Sequence, residues 1–357
     1  IIVGFSIFLL AIGLAALLIK GLVVRLRQLW FATQRIAEGD FSSRIDTKGG
    51  GSDELAALAG SFNEMSGRIS DLMEETAARA RMAKELETAQ AVQRGFFPKH
   101  PYLAPNLRLS GAYQPASECA GDWWGHAVHG DTVYVAIGDV TGHGVSSALV
   151  TAAVHGVFYD FVQRPSVESP QCFLSSLVAS LHRTVRSTGS EESMMTFLVF
   201  ALNLQTGAGH FVNASHPSPW VARALSEEGS KQPSRFSMLA GEVTSPLGYA
   251  EFGAIIVNEF QLAPGDRFLF CTDGFFEPRP ADGKAIKKRE FLSMAADAWS
   301  HGEVEHQAIC DFILQEALSF LGSSAPPDDM TLVVMDIPAA AKFQSALPTA
   351  LPEALVA

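Results

Sequence analysis

Several aspartates of this chain stand where predicted strands run into glycine-rich loops. Residues Trp123–Val128 and Thr132–Ile137 are predicted strands, and His129-Gly130-Asp131 between them is a turn signal. A hairpin folded at this turn places Asp122 opposite the Gly138–Asp139 step. Carboxylates that lie so close repel each other unless a cation lies between them. Because oxygen ligands favour Mg²⁺ or Mn²⁺ over Zn²⁺, the hairpin predicts one part of a divalent metal site.

Three further aspartates stand at strand ends later in the chain. Asp273 follows the predicted strand Arg267–Thr272, and Asp328 and Asp329 precede the predicted strand Met330–Ile337. Glycines beside these carboxylates would let a metal and a phosphate approach the backbone. Two cations held in this way can deprotonate a shared water and hold a phosphoryl oxygen for in-line displacement. The pattern predicts two-metal phosphate chemistry, whereas a solvated end or a helix cap is the alternative for any one aspartate alone.

The length, charge and cysteine content of the chain limit what kind of protein carries these carboxylates. A length of 357 residues predicts two or three modules. Residues 1–100 hold 12 Lys and Arg against 11 Asp and Glu, whereas residues 101–357 hold 14 against 27, a balance of −13. So acidic a region argues against nucleic acid as a partner. None of the four cysteines forms a C-x-x-C pair, which indicates reduced thiols rather than a zinc or redox site.

The first segment is apolar. Residues 1–19 carry no charge, and Lys20, Arg25 and Arg27 follow them. About 20 apolar residues cross a bilayer, so residues 1–24 are predicted to be a transmembrane helix of the bacterial cell membrane, with the following residues cytoplasmic. A cleaved signal peptide and a buried helix are the alternatives. Because the chain starts without Met, we expect a fragment whose upstream sensing region is missing.

Residues 22–70 predict two amphipathic helices around a connector at 40–52. The Glu-Gly-Asp-Phe stretch after the first helix and the Asp-Glu-Leu stretch at the start of the second resemble a HAMP domain, which implies a homodimer. An ordinary helical linker is the alternative. Residues 71–97 continue as a charged helix with a loose heptad seam, a marginal coiled coil that ends at Phe96-Phe97-Pro98. We expect this helix to act as a two-state signalling element.

Residues 98–338 predict an α+β domain, because strands paired through turns alternate with runs of helices. One of the expected hairpins joins Ile255–Leu262 to Arg267–Thr272 across Ala-Pro-Gly-Asp. The tail at 339–357 is rich in Ala and Pro and is predicted to be disordered. The other elements expected in the domain are strands at 107–114, 195–203 and 210–213, and helices at 146–161, 171–186, 288–299 and 304–321.

Five motifs occur in the order found in sporulation stage II E-type phosphatases, the bacterial branch of the metal-dependent type 2C serine/threonine phosphatases. They are Glu-Cys-Ala-Gly-Asp-Trp-Trp, Gly-Asp-Val-Thr-Gly-His-Gly, Asn-Ala-Ser-His-Pro, Cys-Thr-Asp-Gly-Phe-Phe-Glu and Pro-Asp-Asp-Met-Thr-Leu. The resemblance covers about residues 85–337. It implies an αββα sandwich, in which two antiparallel sheets are flanked by helices, preceded here by the transmembrane helix and the helical HAMP and coiled-coil linker.

The resemblance also implies roles for the aspartates. Asp122 and Asp139 are expected to bind metal together with the Val140 carbonyl, and Asp273 and Asp328 to complete the shell of a second ion. Asp329 is expected to join this metal-binding set. The cofactors implied are two Mn²⁺ or Mg²⁺ ions, and the residues expected to carry catalysis are Asp122, Asp139 and Asp273. Residues 85–93 resemble the family's switch helix, which couples to the metal site.

The chain departs from the family pattern without losing a carboxylate. Ala120 stands where the family usually has Gly, Thr141 replaces Ser, and Ser215 replaces Gly. His143 could serve as a general acid, but a hydrogen bond within its own loop is the preferred interpretation. His216 is likewise expected to be structural.

The function implied is a membrane-anchored phosphatase of the cell membrane, with its catalytic domain in the cytoplasm. Its expected substrate is a phosphorylated anti-sigma-factor antagonist with a STAS fold. Two alternatives remain open at this stage: a catalytically silent module that binds such a partner, and a hydrolase of small phosphoesters. Retention of the four aspartates that bind metal in the family favours the enzyme.

Overall fold

The computed structural model describes residues 2–46, 54–142, 144–164, 169–223, 236–277, 285–300, 305–322 and 326–344. The chain forms two compact units, Ile1–Glu85 and Leu86–Ala357. His143 and residues 345–357 lie outside the described residues, so the expectations for that histidine and for most of the tail stay predictions.

The first unit contains two long helices. Helix α1, Ile2–Ala37, includes both the apolar segment and the first amphipathic helix without interruption, and helix α2, Glu54–Arg94, begins the second. A small core holds the connector onto α2, and Asn63 fixes it by bonding both the N–H and the carbonyl of Ile45 at 2.8 Å. The residues of this core are Ala32, Ile45, Ala59 and Phe62, with Leu29 and Ile36 packed against them.

Two helices of the described chain are long and apolar enough to cross a membrane. The first is Gly4–Ala37, near the N-terminus, and none of its most apolar stretch is buried. The second is Val145–Gln163, and its buried residues, such as Val154 and Phe158, belong to the core of the second unit. The first helix therefore fits the predicted span by length and composition, whereas the second packs as a core helix.

The second unit is built on two sheets. The first sheet has the strand order β1-β2-β12-β11-β7-β8, and the second has the order β10-β6-β5-β4-β3, with β9 beside β6. All pairings are antiparallel except that of β6 with β9. The strands are β1 Tyr102–Ala104, β2 Leu107–Gln114, β3 Trp123–His129, β4 Thr132–Val140, β5 Met195–Asn203, β6 Ala208–Ala214, β7 Trp220–Ala222, β8 Phe236–Met238, β9 Val243–Thr244, β10 Asn258–Gln261, β11 Arg267–Cys271 and β12 Met330–Asp336.

Four helices cover the outer faces of the sheets. Helices α3, Val145–Gln163, and α4, Pro170–Thr188, pack on the sheet that contains β3–β6, while α5, Lys288–Ser300, and α6, His306–Leu321, pack on the other sheet. The two sheets face each other through aromatic side chains, as in the Phe200–Phe270 pair with ring centroids 5.2 Å apart. The expected αββα sandwich is therefore confirmed.

The expected hairpin between Ile255–Leu262 and Arg267–Thr272 is wrong. Strand β10 pairs with β6, whereas β11 pairs with β12 and β7 in the other sheet. The turn between them joins the two sheets, because Gly265 N donates to the carbonyl of Ile337 and Ile337 N donates to that of Asp266. A turn sequence indicates that the chain reverses direction, but long-range contacts determine which strands pair on either side of the turn.

The folded unit extends past the boundary predicted at residue 338. Ala341 is buried, and Gln344 N donates to the carbonyl of Gln205 at 2.7 Å. Helix α2 runs unbroken from Glu54 to Arg94, as the continuous charged helix was expected to do, and the boundary at residue 97 stays a prediction. The HAMP-like second helix and the predicted switch helix are thus one helix.

Candidate active site

The β3–β4 hairpin brings the first two predicted ligands together. Trp123 pairs with Gly138, so Asp122 just before β3 lies opposite Asp139 of β4. A β-carbon at Gly121 would lie 2.9 Å from the carbonyl oxygen of Val140, so only glycine permits this approach. The predicted backbone ligand therefore lies beside the loop that carries Asp122.

The other predicted ligands meet at the adjoining ends of β11 and β12. Cys271 pairs with Leu332, which places Asp273 and the Asp328-Asp329 pair at the same edge of their sheet. Gly274 makes this convergence possible, since a β-carbon there would lie 2.0 Å from the carbonyl oxygen of Asp329. A single glycine thus lets the two loops of this sheet come into contact.

Hydrogen bonds join the loop that carries Asp122 to the strand ends that carry Asp273 and Asp329. Thr272 Oγ1 donates to Asp122 Oδ2 at 2.8 Å. Asp329 accepts from Gly121 N at 2.6 Å through Oδ2 and from Ala116 N at 2.8 Å through Oδ1. Each contact links a strand end of the first sheet to the loop before β3. Asp329 therefore holds this loop in place, and its role as a metal ligand remains a prediction.

The carboxylates are close enough to disturb one another's ionisation. Burial and then the nearby Asp273, Asp328 and Asp329 carboxylates raise the pKa of Asp139 to about 8. Burial and then the Asp139 carboxylate raise the pKa of Asp122 well above its ordinary value. Burial also raises the pKa values of Asp273 and Asp329, and the negative charge of Asp328 raises both further. The group forms one acidic cluster that favours extra protons or cations, and in it Asp122 and Asp329 are buried, Asp139 and Asp328 are half-buried and Asp273 is exposed.

Glu277 belongs to this cluster and was not predicted as a site residue. Burial raises the pKa of its carboxyl, and Asp328 and Asp273 raise it further. It closes the Cys-Thr-Asp-Gly-Phe-Phe-Glu motif, and the signal available in the sequence was its position four residues after Asp273, past the short helical turn Asp273–Phe275. Its exposed carboxylate is a further oxygen donor at the edge of the cluster.

The donor set suits a hard divalent cation, but the carboxylates are not gathered into a finished coordination shell. Within the described part of the chain, no three His, Cys, Asp or Glu side chains form a group that could already hold a metal ion. Asp122 Oδ1 is buried without a hydrogen-bond partner, so one carboxylate oxygen is left for a ligand. All the acidic side chains offer only oxygen, which fits Mg²⁺ or Mn²⁺.

The imidazole of His216 is buried and contacts Thr196 through one ring nitrogen. His216 is buried, its Nδ1 lies 2.9 Å from Thr196 Oγ1, and its N–H donates to Asn213 Oδ1 at 2.8 Å. Burial lowers the pKa of this imidazole to about 3, so the ring stays neutral at physiological pH. His216 Nε2 is buried without a hydrogen-bond partner, and the structural interpretation of this residue stays a prediction.

The end of helix α2 reaches the site through one side chain. Gln93 is buried, and its Nε2 donates to the carbonyl of Ala120 at 2.6 Å while its Oε1 accepts from the Ala120 N–H at 2.9 Å. Ala120 is two residues before Asp122, so this double hydrogen bond fixes the backbone that leads into the aspartate cluster. The predicted switch helix therefore contacts the predicted metal loop directly.

A groove with a volume of about 450 Å³ runs beside the same loops. It begins at Val140 and Gly142 and is lined mainly by hydroxyl groups, with Glu192 as the only charged residue among its described lining residues. Its lining therefore offers hydrogen bonds to a polypeptide next to the carboxylates.

Comparison with known proteins identifies the family of the second unit. The family model of stage II sporulation protein E (SpoIIE) matches residues 129–338, and that of the HAMP domain matches residues 17–71. The chain belongs to the SpoIIE family. The matched region contains Asp139, Asp273, Asp328 and Asp329, and the expected HAMP domain and phosphatase family are confirmed.

Relatives support this assignment to the SpoIIE family. The phosphoserine phosphatase RsbP of Bacillus subtilis (strain 168) is 26% identical over 198 residues, which are 55% of this chain and 46% of RsbP. The chain thus spans less than half of that curated relative. The RsbU and RsbW domains of Rv1364c from Mycobacterium tuberculosis are 25% identical, with a TM-score of 0.51 over 66% of this chain and 61% of that one.

A further solved structure shows the fold. The SiaA-PP2C domain of Pseudomonas aeruginosa superposes with a TM-score of 0.57 and 18% identity, covering 73% of this chain and 98% of that domain. The SpoIIE-family unit therefore has a PP2C-type fold, and the carboxylate cluster lies at one edge of its two sheets.

Proposed function

We propose that this chain is a membrane-anchored, metal-dependent phosphatase that removes phosphate from phosphoserine or phosphothreonine of a protein. The observation that carries the proposal is the convergence of carboxylates from both sheets in one acidic cluster, where a hydrogen bond joins Thr272 to Asp122 and the pKa values of Asp122 and Asp139 are raised. Like charges of this kind are costly to bury and are found together mainly where a cation or proton binds.

In this proposal the aspartates hold two ions. Asp122, Asp139 and the Val140 carbonyl would bind one ion, and Asp273 and Asp328 would complete the shell of the other, with Asp329 and Glu277 at the margins of the site. When bound, a pair of Mn²⁺ or Mg²⁺ ions lowers the pKa of a shared water and stabilises charge on the phosphoryl oxygens. The protein supplies rigid positions for these carboxylates, because Thr272 and the Gly121 N–H hold Asp122 and Asp329 in place.

The proposed substrate is a phosphorylated partner-switching regulator, an anti-sigma-factor antagonist of the STAS fold. The family and the similarity to the phosphoserine phosphatase RsbP support this choice. The hydroxyl-lined groove beside Val140 supports a protein rather than a small molecule, since it extends the site along α3 and the segment that precedes β5.

The membrane and dimer assignments rest on the first unit. The exposed apolar surface of α1 and the Arg25 and Arg27 flank support a span of the bacterial cell membrane with the phosphatase domain in the cytoplasm. Leu58, Met65 and Leu72 are exposed on α2 at seven-residue spacing, which suits a helical seam with a second copy of the chain. In this arrangement the Gln93 contact carries the position of α2 to the aspartate loop.

The decisive experiment is phosphate release by the full chain in lipid nanodiscs. The substrates are a phosphorylated STAS-domain protein and, in parallel, para-nitrophenyl phosphate, each with Mn²⁺, with Mg²⁺ or with EDTA. We expect phosphate release from the phosphoprotein only with metal. Asp139→Asn should lower the rate of release by at least about 100-fold, because losing a metal ligand should cost more than losing a residue that only orients one. Asp131→Asn, at the exposed opposite end of the same hairpin, is the matched control and should retain full activity.

Each other outcome has a definite meaning. Full activity of a correctly folded Asp139→Asn variant would remove the proposed mechanism. Tight binding of the phosphoprotein without release would identify a silent binding module. Faster turnover of para-nitrophenyl phosphate than of any phosphoprotein would identify a hydrolase of small phosphoesters.

A further inference from the structure

A second cavity of about 450 Å³ lies between the end of α2 and strands β2 and β3. Its walls come from Gln90 and Arg94 of α2, from the turn that follows this helix, from β2 and from Trp124 of β3. No Asp or Glu lines it in the described part of the chain. The cavity is therefore chemically unlike the aspartate cluster and the hydroxyl-lined groove.

The polar side of the cavity is basic. Arg94 and Lys99 line it, although residues 86–357 carry 16 Lys and Arg against 28 Asp and Glu. Arg94 Nη2 lies 3.3 Å from Gln90 Oε1. Burial raises the pKa of Tyr113, and the nearby Arg94 guanidinium opposes this rise. Two cations and a phenolic hydroxyl thus converge on one cavity in an acidic domain, where they can bind an anion by charge-assisted hydrogen bonds.

The other side of the cavity is flat and aromatic. The rings of Phe97 and Tyr113 stack with centroids 3.8 Å apart and planes inclined by 3°. A β-carbon at Gly111 would lie 2.5 Å from the Trp124 ring, so glycine at this position allows the indole to lie directly against β2. Phe97 and Trp124 are almost fully buried, with 6% and 2% of their surface exposed, so they form the floor of the cavity, and the half-buried Tyr113 offers the more accessible ring.

We propose that this cavity is a binding site for a small organic anion that carries an aromatic ring. A volume of about 450 Å³ falls within the range of small-molecule sites and exceeds what an inorganic anion fills. The anionic group would contact Arg94, Lys99 and the Tyr113 hydroxyl, and the ring would lie over the Tyr113 ring, above the floor formed by Phe97 and Trp124. The proposal does not depend on the phosphatase activity.

Occupancy of this site would stabilise the end of α2. Gln90 and Arg94 stand on either side of Gln93, whose amide holds the backbone of Ala120. A ligand that bridges Arg94 to β2 and β3 therefore favours the position of α2 in which the Gln93 contact is made. The cavity is in this way a place where a metabolite-sized anion can influence the aspartate loop without entering it.

The test is isothermal titration of the full chain in lipid nanodiscs, with empty nanodiscs subtracted. The probes are naphthalene-1-sulfonate, its uncharged analogue naphthalene-1-sulfonamide, and inorganic sulfate. We expect the sulfonate to bind at least about ten-fold more tightly than either control, because it alone combines charge with a ring. Arg94→Gln and Lys99→Gln should each weaken it by about ten-fold, the equivalent of one charge-assisted hydrogen bond.

Arg108→Gln, on β2 but not among the residues that line the cavity, is the matched control and should bind like the unmodified chain. Equal affinities for the sulfonate and the sulfonamide would overturn the proposal, since the site would then recognise only apolar surface. Unchanged sulfonate binding in both Arg94→Gln and Lys99→Gln would overturn it as well, because the ligand would be bound elsewhere.

Discussion

Two polar clusters of the SpoIIE-family domain each contain aspartate but balance its charge differently. In the first, the aspartates between the sheets face mainly one another. In the second, between α6 and the sheet that contains β2, Ser110 Oγ lies 2.7 Å from His306 Nδ1, and His306 Nε2 lies 3.4 Å from Asp336 Oδ2. Trp299 Nε1 also donates to Asp336, at 3.1 Å.

The difference separates a structural network from a site. In the second cluster Ser110 and Asp336 each meet a complementary group, and His306 Nε2, which makes no hydrogen bond, lies near the Asp336 carboxylate, so most of the burial is compensated within the chain. The first cluster lacks a cation among its described side chains, and burial and mutual repulsion raise the pKa values of its carboxyls. A buried cluster that is left uncompensated by its own protein is the one expected to bind something else.

The largest effect is expected from closing the space that lets the aspartates converge. Gly274→Ala places a β-carbon 2.0 Å from the carbonyl oxygen of Asp329, and both loops would have to move. We expect a loss of about 3 kcal/mol in the free energy of unfolding, the upper end for overpacking, together with loss of metal-dependent phosphate release. Urea unfolding and phosphate release measure the two effects. Gly253→Ala, whose β-carbon would meet nothing closer than 3.9 Å, is the control, and equal behaviour of the two variants would contradict the argument.

Breaking the compensated cluster should cost stability and spare activity. Ser110→Ala removes the hydroxyl that faces His306 Nδ1 and leaves a buried imidazole nitrogen without that partner. The expected cost is about 1–3 kcal/mol in the free energy of unfolding, with unchanged phosphate release per folded molecule. Ser187→Ala, at an exposed position on α4, is the control for the loss of a hydroxyl. A large loss of catalytic rate in Ser110→Ala would show that the second cluster is not merely structural.

The comparison also predicts how the metal-free chain responds to pH. The pKa of Asp139 is raised from 3.8 to about 8 by folding, so between these values the folded state binds a proton that the unfolded state has lost. The free energy of unfolding should therefore fall as the pH rises from 5 to 8 in EDTA, by at least about 1.4 kcal/mol, the equivalent of one pKa unit. Asp139→Asn should flatten this dependence, and Mn²⁺ should reverse the loss in the unmodified chain. A flat profile of the unmodified chain in EDTA would contradict the assignment of mutual repulsion.

The smallest effect is expected at Ser215, which directly follows β6. Its φ of 59° is unfavourable for a residue with a side chain, but its Oγ donates to the carbonyl of Thr244 at 3.0 Å. Ser215→Gly relieves the strain and loses the bond, so the free energy of unfolding should change by less than about 1 kcal/mol. Ser215→Ala loses the bond and keeps the strain, and should be less stable than Ser215→Gly. Thermal unfolding of the pair measures the difference, and the reverse order would show that strain is not stored there.

The parts of the site that follow from local sequence were predictable. The turn at Gly130 fixes the register of the hairpin, and the register alone places Asp122 opposite Asp139. The contribution of Glu277 and the hydrogen bond from Thr272 to Asp122 were not predicted, because they depend on how the two sheets meet. The same limit explains the wrong pairing of β10 with β11, since the turn sequence between them is equally suited to a crossing between sheets.

The position of the aspartate pairs has a mechanical consequence. Asp122 and Asp139 are carried by one sheet of the sandwich, whereas Asp273 and Asp328 are carried by the other. Any ion bound by members of both pairs would cross-link the two sheets at the one edge where the aspartates lie. Removing it would loosen the sheets at that edge while the aromatic packing between them keeps the opposite side closed.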